Sequence, residues 1–160
     1  MNDSVPAIRD AARAMLQAQH DNWREIVTGL GPDALNWKPG RDTNSIAALL
    51  AHTLDAERFL VATAADSQTP REGESTFRAS ASGADELLLR LGEVEKDVER
   101  RLAGLSGDHL SQEITRTMRT TRTRTGIAWL LHALAHSREH IGQAYLTRQL
   151  WEQHANQPNR

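Results

Sequence analysis

Three histidines in one stretch, His132, His136 and His140, stand four residues apart. On a helix, residues i and i+4 share a face about 6 Å apart. Two imidazoles at that spacing can close on one metal ion from the same side. All three cannot do so easily, because His132 and His140 lie roughly 12 Å apart along a helix axis. The spacing favours one pair, leaves one end histidine over, and does not say which. A fourth candidate, His52, has Leu49 and Ala56 at i−3 and i+4 and Phe59 one heptad on, so it points inward with an apolar stripe. A lone histidine on such a face is more often a hydrogen-bonded core residue than a ligand. A second helix that also turns histidines inward shifts the balance toward a metal site inside a bundle.

Three neutral imidazoles suit zinc, nickel, iron or another first-row metal better than magnesium or calcium. They leave at least one coordination position for water or substrate, which marks a reactive site rather than a closed structural one. The chain has no cysteine, so disulfides, thiolate metal sites and a cysteine nucleophile are excluded.

These side chains must be positioned by helices. Apolar residues recur at three- and four-residue steps over about residues 5–30, 43–65, 84–105 and 127–153. Ser4 and Pro6 open the first segment, and Gly29 and Gly31 close it. Residues 32–41 read as a connection with Leu35 and Trp37 tucked onto the bundle, and residues 66–83 as a long polar loop. Between the third and fourth helices, TRTMRTTRTRT holds six threonines and four arginines without a carboxylate. Its alternation could form a short extended ribbon, though the expectation is mostly loop. The tail to Arg160 is polar and reads as frayed. The expected fold is all-α: a four-helix bundle with long crossover connections, in one domain spanning residues 1–160.

Bulk properties fit. Of 160 residues, 39% are hydrophobic and 25% charged, and the formal net charge is −2. No global positive field recruits nucleic acid or a membrane surface. No run approaches the ~20 apolar residues that span a bilayer. The first residues show no basic start followed by an apolar run, so the default expectation is a cytoplasmic protein.

The run SIAALLAHTLDAERF, the run HALAHSREHIGQ and the earlier NWKPG together resemble the DinB-like (damage-inducible, YfiT-like) superfamily, which is unrelated to the similarly named DNA polymerase. Its second helix carries S-I-x-x-L-L-x-H, and its fourth carries H-x-x-x-H followed by G-Q. The likeness covers nearly the whole chain. It implies a bundle, often homodimeric, with one divalent metal held by His52, His136 and His140 and with His132 outside the ligand set. It also implies an activity. Some members transfer low-molecular-weight thiols, namely mycothiol, bacillithiol or glutathione. A bound metal lowers a thiol's pKa and presents the thiolate to an electrophile. The alternatives are a metal-dependent hydrolase, in which the same position activates water, and a non-catalytic metal-binding stress-response protein.

Other residues carry two readings each. Glu57, Glu139 and Asp55 could orient a ligand or act as a base, but exposed carboxylates paired with neighbours such as Arg58 and Arg138 are the simpler account. Gln143 shares the face of His136 and His140, so it either orients a ligand or packs. Arg116, Arg119, Arg122 and Arg124 could capture carboxylates of a thiol cosubstrate, Arg122 and Arg124 foremost. A solvated patch, or one paired with glutamates of the third helix, weighs more. Trp23, Trp37, Trp129 and Trp151 are expected as core or interface anchors, Trp129 also lining the pocket. His20, His109 and His154 are expected at the surface.

Overall fold

The computed structural model describes residues 4–156; the expected frayed tail lies mostly outside them. Four long helices stand where the periodicity puts them: α1 (Ser4–Val27), α3 (Ile46–Ala64), α4 (Ala84–Ala103) and α6 (Gly126–Ala155). The expected run to residue 30 is cut short at Val27, where Gly29 takes a positive φ of 80° and turns the chain. Among the described residues, no helix is long and apolar enough to cross a membrane.

Side-chain pairings give the helix directions. Arg13 reaches Glu99 and Arg24 reaches Glu95, so α1 and α4 are antiparallel. Gln19 bonds the Leu134 carbonyl and Arg148 the Ile26 carbonyl, so α1 and α6 are parallel. Arg58 faces Asp97 and Arg101 bonds Ser67, so α3 and α4 run together. His52 meets His136, while the end of α3 meets the start of α6 at Gly126, so these two are antiparallel. Packing runs α1–α4–α3–α6 and back to α1. In this up-down-down-up ring the parallel neighbours α3 and α4 can be joined only by a crossover along the bundle. The long connection after α3 is therefore a geometric necessity.

The connections are more structured than expected. Residues 32–41 contain a short helix, α2 (Pro32–Asn36), and residues 66–83 contain a 3-10 turn, Gly73–Arg78. Helix α5 (Gly107–Ser111) precedes a two-stranded antiparallel hairpin, β1 (Glu113–Thr117) and β2 (Thr121–Thr125), which replaces the expected loop. Three local features make the ribbon. Threonine suits a pleated surface. Thr115 bonds Thr123 and Thr117 bonds Thr121 across the strands. Buried Ile114 anchors it, its carbonyl accepting from Trp129 Nε1. The hairpin runs straight into α6 at Gly126, where a Cβ would collide with the His109 carbonyl; only glycine allows that approach.

Helix α3 is buried on nearly all sides. It packs on both α4 and α6, and the 3-10 turn covers part of it. A helix enclosed in this way is apolar all round, and its buried titratable residues, His52 and Glu57, stand out.

Candidate metal centre

His52 enters from the middle of α3, and His136 and His140 enter from the facing stretch of α6. Their ring centroids are 5.2 Å (His52–His136), 5.0 Å (His52–His140) and 4.5 Å (His136–His140) apart. One ligating atom from each lies within 4.8 Å of the others. His52 Nε2 and His136 Nε2 face each other at 3.2 Å. Zinc–nitrogen bonds of about 2.0–2.1 Å in a tetrahedral site put ligand nitrogens roughly 3.3 Å apart, so this spacing fits an ion with little movement.

Two of the rings are held in the tautomer that ligation needs. Thr76 Oγ1 donates to the Gly73 carbonyl and so accepts from His52 Nδ1–H at 3.0 Å. His140 Nδ1–H donates to Gln143 Oε1 at 3.0 Å. In both rings the Nε2 lone pair is left free. Phe77 stacks on His52 with centroids 3.9 Å apart and sets the ring plane. Beside the triad opens a cavity of about 680 Å³, walled by the 3-10 turn, by the hairpin tip from Thr117 to Arg122, and by Phe59, Phe77 and Glu139. Its volume suits a small organic molecule.

The family model of the DinB superfamily matches residues 15–144, a span that includes all three histidines. The chain belongs to the DinB superfamily. Among solved structures it is similar to a conserved protein of Enterococcus faecalis, with TM-score 0.74 and 17% identity over 94% of this chain and 97% of that one. A DinB-like protein of Bacillus subtilis matches with TM-score 0.68 and 18% identity over 94% and 96%. Another, from Bacillus cereus, matches with TM-score 0.65 and 14% identity over 91% and 95%. At these identities the likeness establishes the shared bundle. No functionally curated protein matches the chain.

Within this DinB-superfamily bundle, burial and then the charges of His140 and Arg71 hold the His52 imidazole down to about 4. Burial and then His140, His52, His132 and Arg71 hold His136 down to about 3. Both rings are therefore neutral near pH 7, the form that binds metals. A stability consequence follows. An unfolded histidine protonates near 6.5, well before these two do in the fold. In the metal-free protein the stability that these two rings contribute is expected to be whole above about pH 6.5 and to be lost as pH falls toward 4. Urea midpoints between pH 7.5 and 4.5 test this. The fall should be shallower in His136→Gln, and an equally steep fall in that variant would exclude the cause.

The remaining expected residues are distributed unevenly. His132 lines the cavity but stays outside the triad; its Nδ1 is engaged by Arg124 Nη1 at 3.0 Å, and its ring stacks on Trp129. Trp129 itself is fully buried and holds the hairpin rather than lining the pocket. Glu139 is exposed on the cavity rim, with no ion pair among the described residues. Asp55 accepts from the backbone N–H groups of Glu72 and Gly73 and so ties down the loop that carries Thr76.

Two expectations are corrected. Glu57 is neither exposed nor paired with Arg58; it is 1% exposed and bonds His20 at 2.7 Å. His20 is not at the surface; it is 2% exposed, because Leu16 and Trp23 flank it on the buried stripe of α1. The arginines also find other partners than glutamates of α4. Arg116 pairs with Asp66 and Arg119 with Glu74, both on the crossover.

Residues of the connections that no local sequence pattern singles out also line the site or hold its ligands: Arg71, Thr76, Phe77 and Met118. One signal was available. Phe77 is one of two phenylalanines in the chain and stands alone in a polar loop, where an apolar ring must cover something.

Proposed function

We propose that His52, His136 and His140 bind one divalent transition-metal ion, such as zinc, nickel or iron, and that the protein is a metal-dependent transferase of a low-molecular-weight thiol. The observation that carries this reading is the convergence of three imidazoles, two with their tautomers preset, beside a cavity of small-molecule size. When bound, the ion would supply a Lewis-acidic position that holds a thiol as its thiolate. The chain's own groups do the rest. Phe59 and Phe77 offer an apolar wall that excludes water. Glu139, on the rim, would receive the thiol proton. Arg122 donates only to Thr120 among the described residues, so it has donors to spare for a cosubstrate carboxylate. Arg124 is partly committed to His132 and Trp129. In the transfer, the thiol sulfur bonds an electrophilic carbon while the leaving group departs with its electron pair.

A metal-dependent hydrolase is the second reading, favoured by the Glu139 carboxylate, which has no ion pair among the described residues and is a candidate base for water. Conjugation of an electrophile with glutathione, bacillithiol or mycothiol, set beside a screen of generic esters, separates the two. Inactivity throughout in metal-loaded protein would favour a non-catalytic metal-binding role. The homodimer belongs to the same proposal, and sedimentation of the untagged protein tests it.

The groups that orient the ligands should matter nearly as much as their contacts suggest. Gln143→Leu and Thr76→Val are each expected to weaken zinc binding by about 10–100-fold, read by competition with a chromophoric chelator. Unchanged affinity in both would mean that the ring orientations are set by packing alone.

A further inference from the structure

We infer that Arg71 binds the acceptor substrate in this cavity, and that this substrate is a small molecule with an apolar body and a carboxylate. This deepens the proposed function and uses the same cavity.

Arg71 lies on the crossover between α3 and the 3-10 turn, and its side chain is 23% exposed. The guanidinium carbon sits 5.1 Å from the centroid of the Phe59 ring, so the group lies over an aromatic face inside the cavity wall. Its hydrogen bonding is poor for so buried a cation. Nη1 donates to Met118 Sδ, a weak acceptor. Nε is buried and has no hydrogen-bond partner. Asp55 Oδ2 stands 3.5 Å from Nε, and both Asp55 oxygens already accept backbone N–H groups. Among the described residues, no protein oxygen accepts a hydrogen bond from this guanidinium. Buried polar groups are normally satisfied, and a fork of five donors matches a carboxylate two bonds at a time.

The location fits a substrate rather than a structural role. Arg71 lines the same cavity as His52, His136 and His140. Of the other cavity arginines, Arg119 pairs with Glu74, and Arg122, at the hairpin tip, is the one assigned above to the thiol cosubstrate. Phe59, Leu60, Phe77 and Met118 form the apolar surface beside it. A flat apolar body against these side chains would carry its carboxylate to Arg71 and its reactive end toward the triad.

The probe is benzoate, with benzamide as its neutral counterpart, titrated calorimetrically into wild type, Arg71→Met and Arg71→Lys. Each protein is measured metal-free and after zinc loading, with zinc content and circular dichroism recorded first. Metal-free wild type is expected to prefer benzoate over benzamide by roughly 10–100-fold, the value of a charge-assisted contact. Arg71→Met should lose that preference, and Arg71→Lys should keep a reduced one because the charge remains and the fork is gone. Equal binding of the two probes to wild type would overturn the inference, and so would a preference that survives in folded Arg71→Met. If Arg71→Met does not fold, the comparison of Arg71→Lys with wild type decides, and an unchanged preference there counts against the fork. Failure of wild type to take up zinc would sink the metal reading alone, because the metal-free titrations still report on Arg71.

Discussion

Replacing His136 or His140 by alanine is expected to lower zinc affinity by on the order of 100-fold or more, and replacing both should abolish stoichiometric binding. Structural zinc sites with four ligands bind with about 10–16 kcal/mol, so each ligand is worth roughly 3 kcal/mol, or about two decades. The loss of one imidazole here is not easily made good. His132, the neighbour four residues before His136, has its Nδ1 engaged by Arg124 and lies outside the cluster of ligating atoms. His132→Ala should therefore leave metal content unchanged, whereas His52→Ala should behave like the α6 variants despite coming from another helix. Elemental analysis of protein purified without a histidine tag reads all five variants. Stoichiometric metal persisting in the His136→Ala/His140→Ala double variant would sink the assignment, as would the absence of metal in wild type under every loading condition.

The largest effect on stability is expected away from the triad. His20 and Glu57 form a 2.7 Å contact with both side chains almost wholly enclosed. On its other side, His20 Nδ1 lies 3.7 Å from Glu95 Oε1, and Arg24 pairs with the same Glu95. Burial opposes a charged His20, but the hydrogen bond and charge of Glu57 and the charge of Glu95 outweigh it, so its pKa is raised. The group ties α1 to α3 and α4. His20→Leu would leave the Glu57 carboxylate buried without its partner, at a cost of about 3–5 kcal/mol. At roughly 2–4 °C per kcal/mol for a chain of this size, Tm should drop by on the order of 10 °C. The double variant His20→Leu/Glu57→Met should recover most of the loss, because an apolar pair of similar volume removes both desolvation costs. A loss in the double variant equal to the sum of the two single losses would mean that the residues do not act as a pair. The pH dependence should also oppose that of the triad. The stabilisation from His20 is whole below about pH 6.5 and fades as pH rises through its raised pKa.

The contrast between the two histidine groups shows where a linear reading succeeds. Each is found by asking which neighbours share a helix face, and the answer needs only 3.6 residues per turn. His136 and His140 pass that test, and so does His52. His20 passes it too, with Leu16 at i−4 and Trp23 at i+3. Glu57 was a different matter. Its turn away from His52 was legible, but what waited on that side was α1, and no local pattern says which helix lies against which face of α3.

The sequence by itself determined the four helices, their inward stripes and the four-residue spacing that puts histidines on one face of α6, because these depend on contacts a few residues apart. The tertiary structure decided the rest. The up-down-down-up ring sets α3 against α6 in antiparallel register, which brings His52 to His136 and His140 and leaves His132 one turn too far along. The same parallel pairing of α3 with α4 forces a crossover past the site, and that crossover delivers Thr76 to orient His52, Phe77 to cover it and Arg71 to charge the cavity. Those contacts join residues far apart in the chain through segments of weak local preference, so only the packed bundle could reveal them.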